Sequence, residues 1–286
     1  ILMEKSGAPV DAFIEKIKPF LEKDDILIDC GNSNWHDTIR RQKELEKDGF
    51  EFVGCGVSGG EEGALWGPSI MPGGSREAVE AVLPYLTKIA ADDFDNGKCT
   101  TNVGLSASGH FVKMVHNGIE YAIMQGIAEV YDLLRSNGKN NDEIGSIFKE
   151  LNTGANESFL LDITENVFET KGDDGKYLVD IIKDKAKAKG TGAWTVEAGL
   201  DLGVDVSIIA SSVFARTRSA RNQTFEIAGE KKNQTVTNVP SIDELKELMS
   251  SVFFMSYLQG LDLIMKANEE YSWNINIKEV VRIWEG

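Results

Sequence analysis

Two hydrophobic rhythms divide the chain. In the first hundred residues, short apolar runs alternate with polar, helix-friendly stretches. Ile26-Leu27-Ile28-Asp29-Cys30 is an apolar run stopped by Gly31, and it reads as a buried strand. Phe50-Glu51-Phe52-Val53-Gly54 reads as another. The pattern predicts helices over residues 10–22, with Pro9 near the start, over 37–49, with Gly49 placed to end it, and over 76–91. Strands alternating with helices predict a parallel sheet covered on both faces. After about residue 105 the rhythm changes. Phe111, Val115, Ala122, Ile123, Ile127, Val130 and Leu134 recur at helical spacing, which predicts one helix of about thirty residues. Further helices are expected near 141–151, 155–170, 176–188, 194–202, 205–222 and 241–270. Residues 169–177, containing Gly172-Asp173-Asp174-Gly175, read as an exposed loop.

The fold class expected is therefore α/β followed by all-α. A partial Rossmann-like parallel sheet domain over residues 1–105 precedes a helical domain over 106–286, with the seam near Gly104. A length of 286 residues suits two domains. The net charge of −16 argues against nucleic acid or an anionic membrane as a partner, because phosphate would meet like charge. It leaves room for a small phosphorylated ligand held by a few local cations. No continuous apolar run approaches the roughly 18 residues of a membrane span. Cys30, Cys55 and Cys99 are sparse, odd in number and without zinc-like spacing, and the chain has only three histidines, His36, His110 and His116. No metal is expected, and a reducing compartment such as the cytoplasm suits this usage better than a disulfide framework.

Four segments carry candidate chemistry, each beside a plainer reading. Gly54-Cys55-Gly56-Val57-Ser58-Gly59 fits G-x-G-x-x-G after a strand, but the residues that follow are glycine-rich and acidic rather than an apolar helix. It reads as a loop offering backbone N–H groups to a polar ligand, or as a flexible turn. Gly31-Asn32-Ser33 follows a strand, where open α/β sheets gather ligands, yet Asn and Ser also cap helices, and capping is the simpler reading. On the long helix, Lys113, Asn117, Glu120 and Tyr121 fall along one side with His116 beside them. A solvated polar face is the ordinary meaning of such a stripe. Gly109 and Gly118 within the helix argue for close approach instead, and a lysine with a carboxylic acid suits acid/base chemistry. Lys189-Gly190-Thr191-Gly192 could hold a phosphate or merely link two helices, and Arg216, on a mostly apolar segment, calls for an anionic partner.

Together these stretches resemble the 6-phosphogluconate dehydrogenase (decarboxylating) family. The resemblance is carried by residues 28–33, by Val57-Ser58-Gly59-Gly60-Glu61-Glu62-Gly63-Ala64 with the segment 67–74, by Gly109-His110-Phe111-Val112-Lys113-Met114-Val115-His116-Asn117-Gly118-Ile119-Glu120-Tyr121, by Lys189-Gly190-Thr191-Gly192 with Trp194-Thr195, and by Val213-Phe214-Ala215-Arg216. It implies oxidation of 6-phosphogluconate with NADP and loss of CO2 to give ribulose 5-phosphate, a pentose phosphate pathway step. It implies Lys113 as base and then acid, and Glu120 as the acid that protonates C1. Ser58, Gly59, Gly60, His116 and Asn117 would hold the sugar-acid end. Tyr121, Lys189 and Arg216 would surround the phosphate. Asn32 would lie between substrate and nicotinamide, with Lys5 a further cofactor contact. A cytoplasmic homodimer is expected.

The family also implies sequence before Ile1, including a true G-x-G-x-x-G, and helices beyond Trp284. The expectation is a site that is encoded but incomplete, with weak NADP binding and little or no turnover by these 286 residues alone. The residues that separate NADP from NAD fall outside this stretch, so NAD stays open. Within it, Ala107-Ser108, Lys187-Ala188, Ala193, Ser211 and Glu285 depart from the family pattern. Two other readings compete: a different β-hydroxyacid dehydrogenase, and a non-catalytic binding or assembly module.

Overall fold

A computed structural model describes residues 1–95, 97–183, 185–219 and 240–285. The chain divides into two compact units. The first comprises residues 1–117, 190–205 and 260–286, and the second 118–189 and 206–259. Two long helices, α5 (Ser108–Ser136) and α11 (Ile242–Tyr271), each contribute to both.

The first unit is built on a three-stranded sheet in the order β1-β2-β3, with β1 Ile26–Asp29, β2 Glu51–Ser58 and β3 Ser69–Gly73. β1 and β2 are parallel, as expected, and are joined by α2 (Trp35–Lys47). β2 and β3 are antiparallel, so the sheet is mixed rather than parallel. The cause is the short connection. Between Ser58 and Ser69 the chain has room only for α3 (Gly60–Trp66), too little for the crossover that a parallel neighbour requires. The glycine-rich segment read as a loop is thus the end of a strand followed by a two-turn helix. At the junction Gly59, at φ +135°, and Gly60, at φ +58°, adopt backbone geometry that favours glycine. Bridges from Leu2 to Asp29 and from Ile70 to Thr100 extend the sheet at both edges.

Helix α1 (Ala8–Ile17) covers one face, where Val10 and Ile14 meet Leu27, Leu45 and Phe52. Helix α4 (Arg76–Ile89) covers the other, with Ala78, Val79, Val82 and Leu86 against Ile28, Val53, Cys55 and Ile70. Ser75 caps α4 through the Ala78 N–H. Asn34, not Asn32 or Ser33, caps α2, accepting from the His36 N–H at 2.9 Å. Ser33 is diverted to the buried Asp29 carboxylate, at 2.6 Å. An aromatic cluster of Trp35, Phe111, Tyr271 and Trp273 seals the unit, with ring centroids 4.8–5.7 Å apart. Helices α9 (Thr191–Leu202) and α12 (Ile277–Arg282) complete it. Arg282 ties the last turn to Asp93 and to the carbonyls of Lys98 and Thr100.

The second unit is helical among its described residues. Helices α6 (Asn141–Leu151), α7 (Phe159–Glu169) and α10 (Ser207–Ser219) join parts of α5 and α11. Its core gathers Val130, Leu134, Ile144, Phe148, Leu151, Leu161, Phe168, Leu245 and Met249. Asn140 and Glu143 cap the start of α6 reciprocally. The helix expected over 176–188 shrinks to one turn, α8 (Leu178–Ile181), and residues 220–222 of the helix expected over 205–222 lie outside the described residues. Residues 170–177 do form a mostly exposed loop, closed by a Lys171–Tyr177 bridge, while Glu169 ends α7. Helix α11 is long enough to cross a membrane and has a mean hydropathy of 1.3 over 18 residues, although polar residues interrupt its apolar runs. A core helix has the same composition, and Leu245 and Met249 of α11 are fully buried in the second unit's core.

Two buried hydroxyls in the first unit, Thr100 Oγ1 and Ser108 Oγ, are unmatched among the described residues. Ser108 Oγ, at the start of α5, is inaccessible and has no hydrogen-bond partner among the described residues. Ser108→Ala is expected to stabilise the protein by about 1 kcal/mol, because it removes a desolvated polar group. Urea denaturation would read this as a higher midpoint at unchanged slope. A lower midpoint would mean that the hydroxyl has a partner.

Candidate active site

The N-terminal turns of α5 lie hard against β2 and β3. A side-chain carbon at Gly56 would fall 2.3 Å from Lys113 Cβ, and one at Gly109 would fall 2.2 Å from the Met71 carbonyl oxygen and 2.3 Å from that of Gly54. The glycines of the G-x-G stretch therefore serve helix-to-strand contact. Gly54 makes room for Thr38 and His110, and Gly56 for Lys113. This packing buries Lys113 to 6% exposure.

Buried so, the Lys113 amine is held by its own helix. Nζ donates to Asn117 Oδ1 at 2.6 Å and lies 3.4 Å from His116 Nδ1. Asn117 Nδ2 donates in turn to Thr191 Oγ1, at the first residue of α9, at 3.2 Å. Trp284 meets the His116 ring edge-on, with centroids 5.2 Å apart. Three expected residues, Lys113, His116 and Asn117, are thus brought together in the first unit. The sequence pattern offers Thr191 only within a turn that could hold phosphate, and it does not mark Trp284 as a site residue. No local spacing links Trp284 to His116, so only the tertiary fold could reveal it.

Ser58 ends β2 and is half-buried, as are Asn32 and Gly59, whereas Lys5 and Gly60 are exposed. In the second unit, the Arg216 guanidinium lies 3.8 Å over the Tyr121 ring, donates to the Lys187 carbonyl at 2.8 Å and touches Met124 Sδ at 3.6 Å. Tyr121 and Arg216 therefore form one cationic platform. Lys189 is exposed. Glu120 lies close enough to Tyr257 for its charge to push that phenol's pKa up, after the larger effect of burial.

Behind the lysine, the second residue of the Gly-His pair is structural. His110 is buried, and its Nε2 lies 3.0 Å from the Asp29 carbonyl, which can only accept. Nε2 therefore carries the proton, and Nδ1 accepts from Thr38 Oγ1 at 2.7 Å. Burial lowers the His110 pKa below its ordinary value. The folded state thus prefers neutral imidazole. Its contribution to stability is complete above about pH 6.5, the ordinary histidine value, and is lost as pH falls through that value toward the depressed one. His110→Gln is expected to flatten the fall in urea midpoint between about pH 7.5 and 5.5. Equal slopes for both proteins would exclude His110 as the titrating group.

Among the described residues no group of three or more His, Cys, Asp or Glu side chains could hold a metal ion. For a nicotinamide cofactor, the carboxyl end of β1 is the informative place. A side-chain carbon at Gly31 would fall 2.8 Å from the Glu4 carbonyl oxygen, so glycine lets the segment at Glu4 pass close to the turn that presents Asn32. Lys5 and the half-buried Asn32 amide offer donors of the kind a phosphorylated dinucleotide uses, and the residues fit that group.

Residues 1–104 match the family model described as the NAD binding domain of 6-phosphogluconate dehydrogenase, and residues 109–286 match that of its C-terminal domain. The chain belongs to the 6-phosphogluconate dehydrogenase family. It is 47% identical over 290 residues to the decarboxylating 6-phosphogluconate dehydrogenase of Pseudescherichia vulneris, covering 99% of this chain and 65% of that protein. The Escherichia coli K12 enzyme of the same name is 48% identical over 291 residues, covering 99% and 62%. The chain thus spans a little under two thirds of the length of the curated relatives it matches. A solved structure of Plasmodium falciparum 6-phosphogluconate dehydrogenase, studied in apo form, with its cofactor NADP+ and with its substrate 6-phosphogluconate, superposes with a TM-score of 0.90 at 37% identity, covering 100% of this chain and 63% of that one. A 3-hydroxyisobutyrate dehydrogenase of Mycobacterium tuberculosis shares the fold, with a TM-score of 0.59 at 17% identity, over 77% of this chain and 73% of that one.

Proposed function

We propose that this 6-phosphogluconate dehydrogenase family member oxidises 6-phosphogluconate with NADP and releases CO2 to give ribulose 5-phosphate, as a step of the pentose phosphate pathway. The observation that carries this reading is the buried Lys113, its stem packed against Gly56 and its amine held by Asn117 and His116. In this reading Lys113 takes the proton of the C3 hydroxyl. The amine must be neutral to do so, and burial is the environment that disfavours an ammonium ion. One N–H remains committed to Asn117, which fixes where the lone pair points. The protonated amine then donates to the 3-keto oxygen while CO2 leaves, and stabilises the negative charge that develops there. Glu120, seven residues further along α5, protonates C1 of the enediol.

Ser58, Gly59, Gly60, His116 and Asn117 hold the sugar-acid end. Tyr121, Lys189 and Arg216 hold the phosphate. Arg216 suits that task because its planar fork matches phosphate oxygens, and the Tyr121 ring beneath it sets its plane. Lys5 and Asn32 would hold NADP, which when bound accepts the hydride from C3. The proposal includes a homodimer in the cytoplasm, with neither membrane nor nucleic acid as a partner, and its support there is family membership and three free cysteines.

The test is turnover by the protein made from its full reading frame, with NADP and either 6-phosphogluconate or 3-hydroxyisobutyrate. Equal amounts of NADPH and CO2 from the first substrate, and none from the second, are expected. Oxidation without CO2, or turnover of the second substrate alone, would overturn the reading.

A further inference from the structure

Two of the three cysteines are neighbours across the sheet. Asp29 is the register partner of Gly54 in the parallel β1–β2 pair, so the next positions along, Cys30 and Cys55, stand side by side on one face. That face is the α4 side. Cys55 is inaccessible in the cluster with Val53, Ile70 and Val79, and Cys30 packs against the same cluster while keeping partial exposure. Neighbouring strands run about 4.8 Å apart, inside the Cα separations that a disulfide spans. Both cysteines are free of a disulfide.

The pair is asymmetric. Contact with Cys55 lowers the Cys30 pKa, while contact with Cys30 and burial raise that of Cys55 well above the usual thiol value. Cys30 also has the exposure a reagent needs. Cys99 has neither advantage, because it is inaccessible and burial pushes its thiol up to about 11. None of these residues takes part in the chemistry assigned to Lys113 and Glu120.

We propose that Cys30 and Cys55 form an oxidisable dithiol, in which Cys30 reacts with a peroxide and Cys55 resolves the product. The Cys30 thiolate attacks one oxygen of hydrogen peroxide, the O–O bond breaks, and the leaving hydroxide takes a proton to become water. Cys30 is then a sulfenic acid. The Cys55 sulfur attacks the Cys30 sulfur, the S–O bond breaks, and a second water leaves with the Cys55 proton. Two thiols are oxidised by two electrons to one disulfide, and the peroxide is reduced to two waters. A dithiol reductant reverses the change.

The full-length protein is treated with equimolar hydrogen peroxide, alkylated, digested and mapped by mass spectrometry without reduction. The expected result is a peptide linking Cys30 to Cys55, two hydrogens lighter than the sum of its parts, lost on dithiothreitol treatment, with Cys99 alkylated throughout. In Cys55→Ser, the sulfenic acid reagent dimedone should label Cys30. In Cys30→Ser it should leave Cys55 unlabelled. Full alkylation of Cys30 after peroxide, a bridge that uses Cys99, or dimedone on Cys55 in Cys30→Ser would each overturn the proposal. Mapping of the unmutated protein decides the matter if either variant fails to fold.

Discussion

Lys113→Met is expected to lower kcat for 6-phosphogluconate by about 100- to 10,000-fold, the range associated with losing a positioned acid/base group. KM should change far less, because the group's largest interaction is with the transferred proton rather than with bound substrate. The motive is geometric. The lysine is buried, its amine is held by Asn117 at 2.6 Å, and Gly56 leaves no side chain on β2 to crowd its stem. Lys113→Arg separates charge from proton transfer. A guanidinium keeps the positive charge but does not give up its proton near neutral pH, so it should fail as completely as methionine. Thermal melts of both variants would show whether the fold survives. An arginine variant close to the native rate would mean that Lys113 supplies charge alone, and the assignment of the base would fail.

The sequence made this residue visible because its partners are local. Lys113, His116 and Asn117 are separated by three and four positions on one helix, so the helical repeat alone brings them together. The first two strands were legible for the same reason, since an unbroken apolar run such as Ile26-Leu27-Ile28 has few other homes, whereas β3, Ser69–Gly73, was not. What the sequence hid depends on distant pairing. The direction of β3 follows from how much chain the β2–β3 connection contains, and glycine content disguised α3 as a loop. The capping role moved from Asn32 to Asn34 because Asp29 captured Ser33, a contact that needs the strand end and the turn together. Trp284 reaches His116 from the far end of the chain. The G-x-G stretch was the most misleading signal. Its glycines suggested a loop for a polar ligand, while the structure uses Gly54 and Gly56 to admit a helix.

That last point leads to the largest expected effect on stability. In an isolated helix, replacing glycine by alanine is favourable by about 1 kcal/mol. Gly109→Ala is expected to do the opposite, costing about 3 kcal/mol and lowering Tm by roughly ten degrees. The new methyl carbon would sit 2.2 Å from the Met71 carbonyl oxygen, 2.3 Å from that of Gly54 and 2.8 Å from the Gly73 nitrogen. All three are backbone atoms of paired strands, so none can swing aside without breaking the ladder. Gly56→Ala meets Lys113 Cβ and Cγ instead. Those atoms can move with their side chain, so the cost in stability should be smaller. The loss of activity should be the greater of the two per folded molecule, because the displaced atoms carry the amine. The pair of variants thus separates two uses of one contact: Gly109 lets α5 dock on the sheet, and Gly56 sets where the docked helix delivers Lys113. A Gly109→Ala protein that melts at or above the native temperature would show that α5 does not touch the strands, and the buried lysine would lose its physical basis.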